Sequence, residues 1–214
     1  MFLVCNNMKE KTTQEGLYLP IVEQFYSIQG EGFHTGKAAY FIRMGGCDVG
    51  CSWCDTKFAW DSELHEMTHI DSIVKGITRT SADSVVVTGG EPLMYNMNPL
   101  CIELKKMNVL TYLETSGSHK LTGIWDWICL SPKKNYPPDN NIYSLAGELK
   151  VIIEGEDDFT WAEENKARVS SDCKLYLQPE WSSIKNIMPS VVEYVKNHTE
   201  WSISLQSHKY MGIP

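Results

Sequence analysis

Short apolar runs alternate with amphipathic segments over most of the chain. Apolar runs bounded by glycine, proline or polar residues are typical of buried strands, and apolar residues spaced by three and four predict helices. The runs predict strands at 18–28, 37–44, 84–88, 109–113, 127–130, 148–153 and 174–179, and the segment 201–206 closes the pattern. The periodic segments predict helices at 69–79, 98–107, 160–169 and 183–197, the last interrupted or kinked near Pro189.

Strands and helices that alternate in this way indicate parallel βαβ units. The chain has room for about six units, fewer than the eight of a complete barrel. We therefore predict an α/β fold, an incomplete (partial) β/α barrel of about six parallel strands with its site at the C-terminal ends of the strands. Residues 1–17 show no periodicity and are expected to be a loose leader, and residues 18–214 to form the one domain.

Three cysteines follow the second predicted strand at C-x3-C-x2-C spacing: Cys47, Cys51 and Cys54. Each thiolate can bind a different iron of a [4Fe–4S] cluster, which leaves the fourth iron free to bind a small molecule. A structural zinc site is the alternative, but it needs four ligands. The candidate fourth ligands, His34 and His65, lie outside the loop. The spacing therefore favours a cluster that could support radical chemistry with S-adenosylmethionine.

Other polar positions adjoin the predicted strands, and each has two interpretations. The segment 29–32 is either an ordinary hairpin turn or a ligand-binding loop whose glycines permit close approach. Arg43 interrupts an apolar strand, so it is either ion-paired or directed at an anionic ligand. The Thr56 hydroxyl suits Mg²⁺ as well as a turn or cap. Segment 89–92 follows a predicted strand and contains two glycines and a glutamate, which favours a ligand-binding loop.

Composition narrows the class of protein. Of 214 residues, 43% are hydrophobic and 21% charged, which is typical of a globular protein. The net charge of -8 argues against nucleic-acid binding, which needs clustered basic residues. No apolar stretch approaches the roughly 18 residues of a membrane span, and we expect a cytoplasmic protein. The seven cysteines form an odd set that suits a reducing compartment.

The cysteine motif and Gly89-Gly90-Glu91-Pro92 together resemble the radical S-adenosylmethionine superfamily. Longer segments of the chain resemble one family within this superfamily, the 7-carboxy-7-deazaguanine synthases. The resemblance extends over roughly residues 18–214. These segments are SIQGEG at 27–32, CSWCDT at 51–56, TGGEP at 88–92, ETSG at 114–117, SPK at 131–133, ELK at 148–150, LQP at 177–179 and LQSHK at 205–209.

The resemblance implies a set of site residues. Cys47, Cys51 and Cys54 would hold the [4Fe–4S] cluster, and Thr56 would bind Mg²⁺. The implied S-adenosylmethionine residues are Trp53, Cys54, Asp55, Gly90, Glu91, Ser131, Pro132, Lys133 and Gln178. The implied pterin residues are Ile28, Gln29, Gly30, Glu31, Arg43, Thr88, His208 and Pro214, the last through its carboxylate.

The resemblance also implies a reaction: 6-carboxy-5,6,7,8-tetrahydropterin becomes 7-carboxy-7-deazaguanine with loss of ammonia, through hydrogen abstraction at C6 and ring contraction, in queuosine and 7-deazapurine biosynthesis. No classical acid or base is implied, because the radical arises at the cluster. A reductant such as flavodoxin or ferredoxin and a homodimer are expected, with no nucleic-acid or membrane partner. The alternatives are an activating enzyme that generates a radical on a partner protein and a non-catalytic electron-transfer or metal-binding module.

Overall fold

A computed structural model describes residues 15–214 as strands and helices built around one nine-stranded sheet. The strands are β1 (Tyr18–Ile28), β2 (Ala38–Met44), β3 (Glu66–His69), β4 (Ser84–Gly89), β5 (Leu110–Thr115), β6 (Trp127–Leu130), β7 (Glu148–Ile153), β8 (Lys174–Pro179) and β9 (Trp201–Ile203). The α-helices are α1 (Ile70–Ile77), α2 (Asn98–Lys106), α3 (Asp157–Lys166), α4 (Ile184–Asn197) and α5 (Ser207–Met211).

The strand order is β3-β1-β2-β4-β5-β6-β7-β8-β9. From β2 to β9 every neighbouring pair is parallel, whereas β1 pairs antiparallel with both β2 and β3. The α/β prediction is confirmed: the mostly parallel sheet is open, as in a partial barrel. Over residues 15–214 the sheet contains seven parallel strands, β2 and β4–β9, which agrees with the expected count of about six, and the short β9 completes them by pairing with β8.

The antiparallel strands arise from short connections. β1 joins β2 through residues 29–37, too few for the crossover that a parallel pair requires. Strand β3 could not be predicted, because its four residues are partly exposed and contain no apolar run. Helix α4 continues through Pro189 rather than being interrupted there.

Residues 1–14 of the predicted leader lie outside the described residues. The last part of that segment contacts the fold. Gly16 is buried, with no space for a side chain beside the carbonyl of Asn96, and the carbonyl of Leu17 accepts a hydrogen bond from the Ile70 N–H at 3.1 Å.

Buried side chains cover both faces of the central strands. In β4, Val85 and Val87 pack with residues of α1 and α2, while Val86 contacts Phe41 and Ala39 on the opposite face. Burial on both faces explains why these strands read as continuous apolar runs. A second large cluster joins β6–β9 to α3 and α4. None of the described helices is long and apolar enough to cross a membrane.

Candidate active site

Two adjoining cavities lie at the C-terminal ends of the parallel strands. The first, here called the cysteine cavity, has a volume of about 190 Å³ and is lined by the three cysteines of the C-x3-C-x2-C loop. The second, the hairpin cavity, has a volume of about 420 Å³ and is lined by the β1–β2 turn and the C-terminal residues. Both cavities share the same wall, which consists of Glu31, Asp55, Thr56, Thr88, Gly89 and Glu114.

Most of the residues implied for the cofactor and for the pterin separate between these cavities, whereas Glu31, Asp55, Thr56 and Thr88 line both. The cysteine cavity is lined by Cys47, Cys51, Cys54, Thr56, Trp53, Asp55, Gly90, Glu91, Ser131, Lys133 and Gln178. The hairpin cavity is lined by Ile28, Gln29, Gly30, Glu31, Arg43, Thr88, His208 and Pro214. Pro132 alone lies apart, in a neighbouring depression behind the cysteine loop.

The cysteine loop fits a group that takes thiolate ligands. Its three cysteines are free thiols and half-buried. Burial raises the pKa of Cys47, and backbone hydrogen bonds from Val49 and Gly50 act in the opposite direction. Burial also raises the pKa of Cys51, against which the ammonium of Lys133 stabilises the thiolate. A cluster bound here would meet three thiols on one cavity wall, with donors already placed for their anionic forms.

The zinc alternative finds no fourth ligand at either histidine. The His34 ring stacks on Tyr112 with 4.3 Å between centroids. The Nε2 atom of His65 lies 2.9 Å from the carbonyl oxygen of Phe58. Both histidines are therefore engaged away from the three thiols.

The glycine pair after β4 allows this segment to pack directly on the cysteine loop. The Glu91 N–H donates to the carbonyl of Gly46 at 2.8 Å. A Cβ atom at Gly90 would collide with that same carbonyl. The close approach therefore excludes any side chain at this position.

The Glu91 carboxylate is buried and held by the end of β5. It accepts hydrogen bonds from the Thr115 hydroxyl at 2.6 Å, from the Ser116 N–H at 2.8 Å and from the Ser116 hydroxyl at 2.5 Å. It also accepts from the Leu93 N–H at 3.0 Å. The carboxylate therefore fixes the two strand ends together beside the cysteine cavity.

A buried lysine joins the carboxylates of Glu31 and Glu114 on the shared wall. The Nζ atom of Lys150 lies 2.7 Å from Glu31 and 2.9 Å from Glu114, and its side chain is only 4% exposed. Burial raises the pKa of Glu31, but the charge and hydrogen bond of Lys150, with a bond from Gln206, outweigh this and lower it to about 2.

Sequence reasoning did not assign Lys150 or Glu114 to the site. The sequence does contain a feature that points to Lys150: this charged residue interrupts the apolar strand β7 in the same way that Arg43 interrupts β2.

The structure contains the ion pair expected for Arg43 and the hairpin turn expected for segment 29–32, and residues of both also line the hairpin cavity. The Nε atom of Arg43 pairs with Glu23 at 2.7 Å, yet the same side chain lines the hairpin cavity. The segment forms the hairpin turn between β1 and β2, with the Gln29 N–H donating to the Lys37 carbonyl at 2.8 Å, and it also lines the site. Thr56 precedes a short 3₁₀ helix without capping it, and its hydroxyl lies 3.4 Å from the sulfur of Cys54.

The C-terminal helix α5 attaches to both the turn and the cysteine loop. The Ser207 N–H and hydroxyl each donate to the Gly30 carbonyl at 2.9 Å. The Nζ atom of Lys209 pairs with Asp55 at 2.6 Å and lies over the ring of Trp181. Burial lowers the pKa of His208, which favours its neutral form in the hairpin cavity.

Comparison with known proteins agrees with this geometry. Residues 28–174 match the family model of a 4Fe-4S single cluster domain, which supports an iron–sulfur cluster in this chain. The chain is 52% identical to the 7-carboxy-7-deazaguanine synthase of Flavobacterium psychrophilum, with 94% of this chain and 95% of that protein covered. It is 46% identical to the synthase of the same name from Synechocystis sp., over 91% of this chain and 93% of that protein.

A solved structure has the same fold. The crystal structure of QueE from Escherichia coli superposes with a TM-score of 0.81 at 30% identity, and the match covers 94% of this chain and 99% of that one. Fold and sequence identity over almost the whole length thus agree. The chain belongs to the 7-carboxy-7-deazaguanine synthase family.

Proposed function

We propose that this protein converts 6-carboxy-5,6,7,8-tetrahydropterin to 7-carboxy-7-deazaguanine with loss of ammonia. The observation that carries the proposal is the pair of adjoining cavities. One contains three free cysteines, the other contains Arg43 and the β1–β2 turn, and they meet at a shared wall. A radical generated in the first cavity would have a short path to a C–H bond held in the second, which excludes most competing reactions.

The residues of the cysteine cavity suit the cofactor. Cys47, Cys51 and Cys54 would hold the [4Fe–4S] cluster, which with S-adenosylmethionine supplies a hydrogen-abstracting radical. Lys133 is anchored by hydrogen bonds of 2.6 Å to the carbonyl and hydroxyl of Ser131. Its ammonium lies over the Trp53 ring, 5.5 Å from the ring centre. This arrangement presents a fixed cation and a flat apolar surface, which would orient a zwitterionic amino acid and its nucleoside.

The residues of the hairpin cavity suit the pterin. Arg43 would bind the substrate carboxylate, because a guanidinium matches the geometry of a carboxylate. Gln29 and Glu31 offer hydrogen-bonding groups to the ring nitrogens. Thr56 lies on the shared wall, where its hydroxyl would contribute to a Mg²⁺ site beside the substrate. The proposal includes a reductant such as flavodoxin or ferredoxin and a homodimer, which rest on the family resemblance. It also includes a cytoplasmic location, which rests on the cysteine content and on the lack of a long apolar stretch.

The test is anaerobic turnover of the pterin by the reconstituted protein with S-adenosylmethionine and a strong reductant. Product is followed by ultraviolet absorbance and mass. We expect many product molecules per S-adenosylmethionine consumed. Cleavage of S-adenosylmethionine without conversion of the pterin would refute the substrate assignment and favour an activating enzyme for a partner protein.

A matched pair of cysteine variants tests the cluster separately from turnover. Cys51→Ala removes a thiol of the cysteine loop, whereas Cys173→Ala removes a buried thiol at the start of β8. We expect the visible absorbance and iron content of the reconstituted protein to fall with the first variant and to persist with the second. Equal iron content in both variants would contradict the cluster assignment.

A further inference from the structure

The proposed function assigns no role to Lys150, although this residue lies in the site. Its ammonium lies in the interior between two carboxylates that come from distant parts of the chain, Glu31 after β1 and Glu114 in β5. Both carboxylates line both cavities, and Lys150 itself lines the cysteine cavity. Glu31 and Glu114 therefore belong to the wall across which cofactor and substrate would face one another, and Lys150 holds them from the side of the cysteine cavity.

The carboxylates of Glu31 and Glu114 are each held at both oxygens. Glu31 accepts from Lys150 at one oxygen and from the Gln206 side chain at 2.9 Å at the other. Glu114 accepts from Lys150 at one oxygen and from the Gln29 side chain at 3.3 Å at the other. The orientation of the two groups is therefore determined by the protein before any ligand binds.

The charge state of the wall depends on the lysine. Two carboxylates in a half-buried position repel one another, and without a cation burial would favour protonation of one of them. A protonated carboxyl group has an O–H donor, whereas an ionised carboxylate offers acceptors only. The ammonium of Lys150 therefore keeps the wall rich in acceptors.

An acceptor surface of this kind complements a reduced pterin. Such a ring system carries several N–H donors on its pyrimidine and reduced-pyrazine edges, while its carboxylate is complemented by Arg43 in the same cavity. The oxygens of Glu31 and Glu114 keep lone pairs that their protein partners do not use. The hairpin cavity thus divides into a cationic region and an acceptor region, as an anionic ligand rich in N–H groups requires.

We propose that Lys150 is a positioning residue for pterin recognition, because it holds Glu31 and Glu114 as a pair of oriented hydrogen-bond acceptors on the shared wall. The inference rests on the proposed function, since it names the same ligand. It goes beyond the sequence-based assignment, in which neither Lys150 nor Glu114 belongs to the site.

The test compares three substitutions in the reconstituted holoenzyme. Lys150→Met keeps the length of the side chain without charge, Lys150→Gln keeps N–H donation without charge, and Lys150→Arg keeps the charge. We expect the Kd and KM for the pterin to rise at least about tenfold for the Met and Gln variants, the scale of one lost charge-assisted hydrogen bond. The Arg variant should show a clearly smaller increase.

Two controls separate this role from a structural one. Lys174→Met changes an exposed lysine at the start of β8 and should leave pterin binding unchanged. Pterin-independent cleavage of S-adenosylmethionine should fall by a clearly smaller factor than pterin affinity in the folded Lys150 variants, since Lys150 lines the cysteine cavity whereas its two carboxylate partners also line the hairpin cavity. Thermal unfolding identifies a variant that does not fold, in which case the Gln and Arg variants decide the outcome.

The outcomes distinguish the two proposals. If wild type neither binds nor converts the pterin, the proposed function fails, and this inference fails with it. If wild type turns over the pterin but the uncharged variants bind it within about twofold of wild type, only the role of Lys150 is refuted. Equal losses for the Met, Gln and Arg variants, or a parallel loss of S-adenosylmethionine cleavage, would also refute it.

Discussion

At the scale of single residues, charged side chains inside apolar strands are the clearest sequence indicators of the site. Arg43 was recognised from sequence because it stands just before the cysteine loop, where a charged residue suggests a ligand. Lys150 and Glu148 lie in a strand with no such neighbour, and sequence cannot show that Glu114 and Glu31 approach β7 from two other elements. Partners that are distant along the chain can be identified only from the fold.

Glu148 provides a pH-dependent test of such a buried charge. Its Oε2 atom accepts from the Phe33 N–H at 3.2 Å and from the Trp127 indole at 3.1 Å, whereas its buried Oε1 atom has no hydrogen-bond partner among the described residues. Burial raises the pKa of this carboxyl to about 7, although Lys150 acts in the opposite direction. The folded protein therefore binds more protons than the unfolded chain between about pH 4.5 and pH 7, so this group lowers stability as pH rises through that range.

The neutral variant Glu148→Gln should lose this dependence. We expect its free energy of unfolding, relative to wild type, to increase by up to about 3 kcal/mol between about pH 5 and pH 8. Urea unfolding of the protein at several pH values measures the difference. Glu103→Gln, at a partly exposed carboxylate paired with Lys106 on α2, is the matched control for the loss of a carboxylate. A constant difference for Glu148→Gln would contradict the prediction.

At the scale of elements, a strand or helix could be predicted from the sequence when it was long and had a buried face. The long runs and periodic segments correspond to strands and helices within a few residues, because one or both of their faces are buried against neighbours. The short elements β3 and α5 have four and five residues, too few to show a period. Tertiary contacts stabilise them, which is why α5 could not be predicted although it contributes His208 to the hairpin cavity.

The attachment of α5 to the cysteine loop should affect substrate affinity more than stability. Lys209→Met removes the ion pair with Asp55, whose side chain is 48% exposed. Such a pair adds little to stability, roughly 0 to 1 kcal/mol, but it fixes the helix that carries His208. We expect the KM for the pterin to increase about two- to fivefold with little change in the unfolding midpoint.

Steady-state kinetics and thermal unfolding of the same preparations measure both quantities. Lys196→Met, at an exposed lysine on α4, is the matched control and should change neither. An unchanged KM in the Lys209 variant would show that α5 keeps its position without this ion pair.

At the scale of the whole molecule, one sheet is stabilised by two separate clusters of buried side chains. One cluster joins β1, β2 and β4 to α1 and α2, and the other joins β6–β9 to α3 and α4. Sequence predicted the α/β class and the position of the site at the strand ends, because both follow from the alternation of elements. It did not predict that most of the implied cofactor and pterin residues divide between two cavities, since that depends on the curvature and order of nine strands.

The second cluster should be sensitive to loss of volume. Leu149 in β7 is fully buried within it. We expect Leu149→Ala to lower the free energy of unfolding by about 2 to 5 kcal/mol, through lost burial and the cavity that remains. Ile102→Ala, at a side chain on α2 that is 52% exposed, should cost less than about 1 kcal/mol. Urea unfolding compares the two variants, and equal costs would contradict the assignment of this cluster as core.

The wall shared by the two cavities makes the affinities of their occupants interdependent. A ligand in one cavity touches Glu31, Asp55, Thr56, Thr88, Gly89 or Glu114 from one side, and these residues also form the surface on which the other ligand rests. If the pterin orders this wall and so tightens S-adenosylmethionine by some factor, S-adenosylmethionine must tighten the pterin by the same factor. A wall one side chain thick would thus link the two binding equilibria.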